Sequence, residues 1–153
     1  MRVLLLLHII GVVMFLGNIV TAAFWKVRAD IKKDPVVIQQ TVKNVMLADF
    51  IFTLPGLLLL IVSGTAMTVQ SGYPMGTFNW FTVSLLLFVF TGILWLALLL
   101  PLQRSMIRHS ARSINDGSLS TEYQKASRYW AIFGIAATLL PVVILYLMVT
   151  KAF

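Results

Sequence analysis

Residues 3–25 read VLLLLHIIGVVMFLGNIVTAAFW. The stretch is apolar over about 20 residues, the length an α-helix needs to cross a ~30 Å hydrocarbon layer. It holds one titratable group, His8, and one side-chain amide, Asn18. Steps of three and four place His8, Gly11, Phe15, Asn18, Ala22 and Trp25 on one flank of the helix. The remaining Leu, Ile and Val suit lipid. A polar seam of this kind faces other helices, and any chemistry belongs along it.

Working outward, the whole chain of 153 residues is 59% hydrophobic and 11% charged, against about 25% charged in a soluble domain. It therefore reads as a membrane protein forming one unit, residues 1–153. With no cysteine, it has no disulfide and no Cys-ligated metal or iron–sulfur cluster. The net charge of +7 would suit nucleic acid, but the basic residues flank apolar spans, which the positive-inside rule explains; no nucleic-acid partner is expected. Thr21-Ala22-Ala23 resembles a small-residue cleavage site, yet the apolar run exceeds the core of about 7–15 residues in a signal peptide. Residues 3–25 are read as a retained span.

Three more spans follow, at about 47–69, 79–100 and 128–150, giving an all-α bundle of four membrane helices. Asp49 sits just inside the entrance of the second span. Thr53-Leu54-Pro55-Gly56 predicts a kink there, because proline removes a backbone hydrogen bond and glycine permits close approach. Ser63-Gly64-Thr65-Ala66 is a small-residue patch suited to close helix contact. Residues 70–79 (QSGYPMGTFN) form an uncharged turn, with Tyr73 and Trp80 at the membrane boundary. Pro101 ends or bends the third span, and Pro141 lies mid-way along the fourth. Asp34-Pro35 reads as a helix start. Asn115-Asp116-Gly117 reads as a turn, followed by a cap at Ser118 or Ser120.

Charge sets the orientation. Lys26, Arg28, Lys32, Lys33 and Lys43 fall between the first two spans, and Arg104, Arg108, Arg112, Lys125 and Arg128 between the last two. Segments 26–46 and 102–127 are expected in the cytoplasm, with both termini outside, in the plasma (inner) membrane of a bacterium. Each half then repeats a helix in, a basic connection and a Pro-containing helix out, an arrangement that fits a pseudo-two-fold axis along the membrane normal. Asp49 and Arg128 occupy equivalent entrances in that repeat and are expected to form an ion pair.

His8 is the leading site candidate. An intramembrane histidine makes a helix–helix hydrogen bond, ligates haem iron or another metal, or handles protons. The other histidine, His109, is expected on the opposite side of the membrane, so a second ligand near His8 would be Met67, Tyr146, Met148, water or a residue from another subunit. Copper on His8 with Met67, Met75 and Met148 is a further possibility. Asn18 suits an interhelical hydrogen bond or a cofactor contact. Arg104, Arg108 and Arg112, at steps of four, form a basic stripe for anionic lipid headgroups. The chain carries no phosphate loop, dinucleotide fingerprint, Ser-His-Asp arrangement or metalloprotease helix, and no catalytic residue can be assigned.

The segments LLLLHIIGVVMFLGNIVTAAFWKVRAD, ADFIFTLPGLLLLIVSG and WFTVSLLLFVFTGILWLALLLPLQ closely resemble a family of predicted bacterial integral membrane proteins classed as a domain of unknown function. That resemblance implies four spans and no assigned activity. More distantly, Leu7-His8-Ile9-Ile10, the second span with Pro55, Arg128 opening the last span, and Thr150-Lys151-Ala152-Phe153 resemble HemJ-type membrane protoporphyrinogen oxidases; the CopD-type copper-resistance membrane domain is similar in outline. The HemJ likeness implies haem b or a porphyrin at His8 and electrons passed to the respiratory chain. The third span departs from that pattern in carrying no His, Tyr or Lys, and Thr138-Leu139-Leu140-Pro141 lacks its acidic residue. Three functions are open: a haem- or porphyrin-binding membrane protein, a self-associating or accessory bundle without enzymatic activity, and a metal or small-solute permease lined by His8, Asn18, Thr65 and Asp49.

Overall fold

The computed structural model describes residues 1–74 and 76–151. Met75, a candidate copper ligand, and the Ala152-Phe153 tail lie outside the described residues. Four helices account for nearly all of the rest: α1 (Arg2–Lys32), α2 (Pro35–Gln70), α3 (Trp80–Asp116) and α4 (Thr121–Thr150). Each is long and apolar enough to cross a membrane, and the described residues contain no strand.

The spans predicted from hydropathy are only part of each helix. With 36 and 37 residues, α2 and α3 are each roughly 55 Å long at 1.5 Å per residue, well beyond the ~30 Å of a hydrocarbon core. The segments expected as connections are therefore mostly helical. The first narrows to a break at Lys33-Asp34, the second to residues 117–120. Local chemistry sets both breaks. Asp34 caps α2 by accepting from the amides of Val36 (2.9 Å) and Val37 (3.4 Å), with Pro35 in the first turn. Gly117 closes α3 in the left-handed region at φ 70°, and Ser120, rather than Ser118, caps α4 through the Tyr123 amide. Asp34→Ala is expected to lower stability by about 1 kcal/mol, read as a drop in the unfolding midpoint in detergent.

Two of the prolines shape their helices in the same way. Pro55 follows a wide π turn at Asp49–Thr53, and Pro101 follows another at Trp95–Leu99. In each the amide of the next residue reaches back five positions, Leu54 to the Asp49 carbonyl and Leu100 to the Trp95 carbonyl. A proline ring clashes with the carbonyl four residues earlier and offers it no N–H; widening the turn relieves both problems. Pro101 thus neither ends nor breaks α3, which runs on to Asp116. The matching turns lie in the neighbouring helices α2 and α3, whereas the sequence repeat pairs the second span with the fourth.

Helix α1 packs along α2, and α3 along α4. The two hairpins join at the end rich in Lys and Arg, where Ile38, Val42, Met106 and Tyr123 are almost fully buried. At the other end, Leu54–Gln70 has backbone neighbours in α1 but none in α3 or α4, and Trp80–Leu94 has them in α4 but none in α1 or α2. The hairpins are splayed there, bridged by side chains such as Phe15 and Phe88, whose rings are 5.6 Å apart. Large apolar side chains such as Leu6, Val13, Leu86 and Val142 are exposed, as lipid-facing residues must be. Helix association in such a chain rests on close packing and hydrogen bonds rather than on the hydrophobic effect.

Candidate functional site

The His8 face of α1 meets the small-residue patch of α2, as the sequence suggests. Gly11 and Gly56 allow the two backbones to touch: a Cβ on Gly56 would stand 3.0 Å from the Gly11 carbonyl oxygen and 3.0 Å from the Phe15 nitrogen. About two turns further along α2, Gly64 makes room for the imidazole, since a Cβ there would lie 3.2 Å from His8 Cε1. His8 Nδ1 is 3.0 Å from Ser63 Oγ. The Ser63 hydroxyl proton goes to the Leu59 carbonyl. With that proton committed, Ser63 Oγ accepts from Nδ1 in the tautomer that carries its proton there; the Leu60 backbone also lies within hydrogen-bonding reach of the imidazole.

His8 stands in the wall of the cavity between the splayed hairpins. Its volume is about 520 Å³, within the usual range of about 300–1,000 Å³ for ligand sites. Phe15, Phe81 and Phe88 line it, Met67 and Met148 share it with His8, and Lys151 lies at its edge with the ammonium 5.7 Å from the Trp80 ring centre. Of the proposed second ligands, Met67 and Met148 are thus on the same cavity. Tyr146 is not; it is exposed on the outer face of α4.

Asn18 belongs to a different cluster, centred on Asp49. Asp49 Oδ1 accepts from Asn18 Nδ2 (2.9 Å) and Thr53 Oγ1 (2.9 Å); Oδ2 accepts from Gln103 Nε2 (2.6 Å) and, at 3.5 Å, from Trp95 Nε1. The Asn18 amide also donates to Thr53 Oγ1 at 2.9 Å. Four donors from α1, α2 and α3 take up the four lone-pair directions of one buried carboxylate. The π turns help build this hub, because Asp49 and Trp95 are the first residues of the two. Thr53 turns its hydroxyl to this carboxylate rather than to a carbonyl freed by Pro55. The expected ion pair with Arg128 is absent: Arg128 is exposed, and Asp49 is satisfied by uncharged groups.

The ion pair among the described residues is Lys26–Asp30. Lys26 is 2% exposed. Asp30 accepts from Lys26, from Ser127 Oγ at 2.9 Å and from the Tyr123 hydroxyl at 2.6 Å, while Lys26 also donates to Ser127 and lies over the Trp130 ring at 5.2 Å. This knot ties α1 to α4. Trp25, expected on the polar seam, instead projects outward against Phe24, because a period of 3.6 carries the buried face from Ala22 to Lys26 and Ala29. The i,i+4 spacing of Lys26 and Asp30 was the available signal for the knot; Tyr123 and Ser127 carried none.

Arg104, Arg108 and Arg112 form an exposed row on α3, opposite the buried Gln103, Met106 and Ser110. Thr65 lines the His8 cavity, whereas Asn18 and Asp49 lie beyond the Phe15–Phe88 pair, so the four residues suggested for a solute path are divided between two places. No group of three or more His, Cys, Asp or Glu side chains is placed to hold a metal ion among the described residues.

Four apolar membrane-length helices, packed through glycine contacts and buried hydrogen bonds, define an integral membrane protein. The chain belongs to the family described as predicted integral membrane protein (DUF2269), whose model matches residues 2–152. No curated protein and no solved structure matches it.

Proposed function

We propose that this membrane protein holds haem b, or a porphyrin of the same shape, in the cavity between its hairpins, with His8 Nε2 as the ligand to iron. The observation that carries the reading is the Leu59–Ser63–His8 chain. A metal-binding histidine commonly donates its other ring N–H to a fixed acceptor, which sets tautomer and ring orientation; Ser63 plays that part for Nδ1. The residues present fit such a group in three further respects. Aromatic walls suit a flat apolar ring, Met67 and Met148 offer soft sulfur on the same cavity, and Lys151 supplies a cation at its edge for an acidic substituent. Haem, when bound, supplies one-electron redox chemistry. The protein's own residues orient the imidazole, shield the site with apolar side chains and leave the cavity open at one end of the bundle.

By the positive-inside rule the Lys- and Arg-rich end faces the cytoplasm and the His8 cavity the outer side of a bacterial plasma membrane. The exposed Arg104, Arg108 and Arg112 then lie where anionic headgroups can meet them.

Absorption spectra of the protein purified from haem-supplied cells test the proposal. The wild type is expected to show a Soret band and reduced-state α and β bands that His8→Ala removes or shifts. Ser63→Ala is expected to keep the bands but to lose haem to apomyoglobin about 10–100-fold more readily, the usual cost of removing a partner of a metal-bound histidine. A colourless wild-type protein would overturn the reading.

A further inference from the structure

Between α1 and α2, at the end rich in Lys and Arg, lies a groove of about 550 Å³. Trp25, Arg28 and Lys32 of α1 and Asn44 of α2 line its outer part; Thr21, Ala22 and Ala48 line the part toward the bilayer. Arg28 and Lys32 are one turn apart on one face of α1, so their side chains meet over the same spot. Neither side chain has an ion-pair or hydrogen-bond partner among the described residues. The acids beside them in sequence are turned elsewhere. Asp30 is held by Lys26 and by Tyr123 and Ser127 of α4, and Asp34 caps α2. No carboxylate among the described residues lines the groove.

Two unopposed cations over one spot call for an anion. Arginine and lysine side by side suit phosphate oxygens, the guanidinium through its paired N–H groups and the ammonium as a point charge. Depth then selects the form of the phosphate. At 1.5 Å per residue, Arg28 stands roughly 4–5 Å beyond Trp25, where the apolar run of α1 ends, and so within a headgroup layer about 5–8 Å deep. Lys32 stands one turn further out. Inward, the small side chains of Ala22 and Ala48 leave a slot at hydrocarbon depth, open to lipid past the exposed Thr21. A soluble phosphate ester would leave that slot unused, whereas a phospholipid fills both parts. A zwitterionic headgroup would set its ammonium beside Arg28 and Lys32 with no carboxylate to meet it. The row Arg104, Arg108 and Arg112 offers charge on an exposed helix face; here charge stands over a slot.

We infer that this groove is a discrete site for one anionic phospholipid, its phosphate held by Arg28 and Lys32 and one acyl chain entering between α1 and α2 over Ala22 and Ala48. The inference is independent of haem at His8.

The test is native mass spectrometry of the full chain in mild detergent, titrated with phosphatidylglycerol and with phosphatidylethanolamine of the same acyl chains. The wild type is expected to bind one phosphatidylglycerol about 10-fold more tightly than a second copy, and about 10-fold more tightly than phosphatidylethanolamine. Arg28→Gln with Lys32→Gln is expected to weaken that first adduct about 10-fold. Lys43→Gln with Lys125→Gln removes the same charge from exposed positions at the same end, outside the groove, and is expected to stay within about 2-fold of the wild type. Thr21→Phe keeps the charge and fills the slot from an exposed position; it is expected to weaken the first adduct about 10-fold. Glycerol 3-phosphate, a phosphate ester without acyl chains, is expected not to displace the lipid. Equal losses in the two double variants, a Thr21→Phe protein that binds like wild type, or a first adduct indifferent to headgroup would each overturn the inference. Displacement by glycerol 3-phosphate would also overturn it, leaving a soluble phosphate ester as the occupant.

Discussion

Asp49→Ala is expected to lower the stability of the bundle by about 3 kcal/mol, seen as a fall in the thermal unfolding midpoint in detergent. The substitution strips the acceptor from Asn18, Thr53, Trp95 and Gln103 at once. An interhelical hydrogen bond in a membrane protein contributes only about 0.6 kcal/mol on average, with a maximum near 1.7. The larger figure arises because donors from three helices are left together in a buried site, each carrying its own desolvation penalty. Asp49→Asn keeps one carbonyl acceptor and is expected to cost roughly half as much. Its new amide faces donors at one of the two former carboxylate positions, so the loss does not vanish. An alanine variant as stable as the wild type would show that the hub is incidental to the fold.

The second large effect is expected at Gly56. Any side chain there drives a Cβ to 3.0 Å from the Gly11 carbonyl oxygen and the Phe15 nitrogen, and both obstacles are backbone atoms that cannot rotate aside. Gly56→Val is expected to force α1 away from α2, costing about 3 kcal/mol, at the upper end of overpacking effects, or preventing accumulation in the membrane. The contrast lies at Gly17 and Gly92, where a Cβ meets nothing within 4 Å. Alanine at these two positions is expected to be neutral or to stabilise by up to about 1 kcal/mol through helix propensity. Protein yield and unfolding midpoints of the three variants, measured side by side, decide the matter. If Gly56→Val behaves like Gly92→Ala, close backbone approach is not what holds the first hairpin together.

The four helices were legible because membrane spans announce themselves in composition and length, and the seam through His8, Gly11, Phe15, Asn18 and Ala22 was legible because a helix repeats its face. The same rule applied by alternating integers went astray at Trp25, where accumulated drift hands the buried face to Lys26. Lys26 was hidden for another reason: a lysine beside a span looks like a flank charge, and only the extension of α1 beyond the span, with α4 beside it, turns it inward. Asp49 was recognised as unusual, but its partners were not. An acidic residue invites a search for a cation, and Arg128 was the natural choice; Gln103 and Trp95 are uncharged and lie in a different helix, brought within reach by wide turns that Pro55 and Pro101 hint at but do not specify. His8 could be singled out from sequence. That Ser63, rather than another small residue of its patch, meets His8 Nδ1 depends on the rotation of α2 against α1.

The uneven joining of the two hairpins has a mechanical meaning. At the Lys- and Arg-rich end they are held by buried side chains and by the Lys26–Asp30–Tyr123 knot, whereas at the other end no backbone contact links them. The molecule is a pair of forceps with a stiff pivot and tips bridged by side chains such as Phe15 and Phe88. Parting the tips breaks side-chain contacts such as Phe15–Phe88 and displaces lipid but unpacks no backbone of Leu54–Gln70 against α3 or α4, so the width of the gap beside His8 is expected to follow the lateral pressure of the leaflet around it.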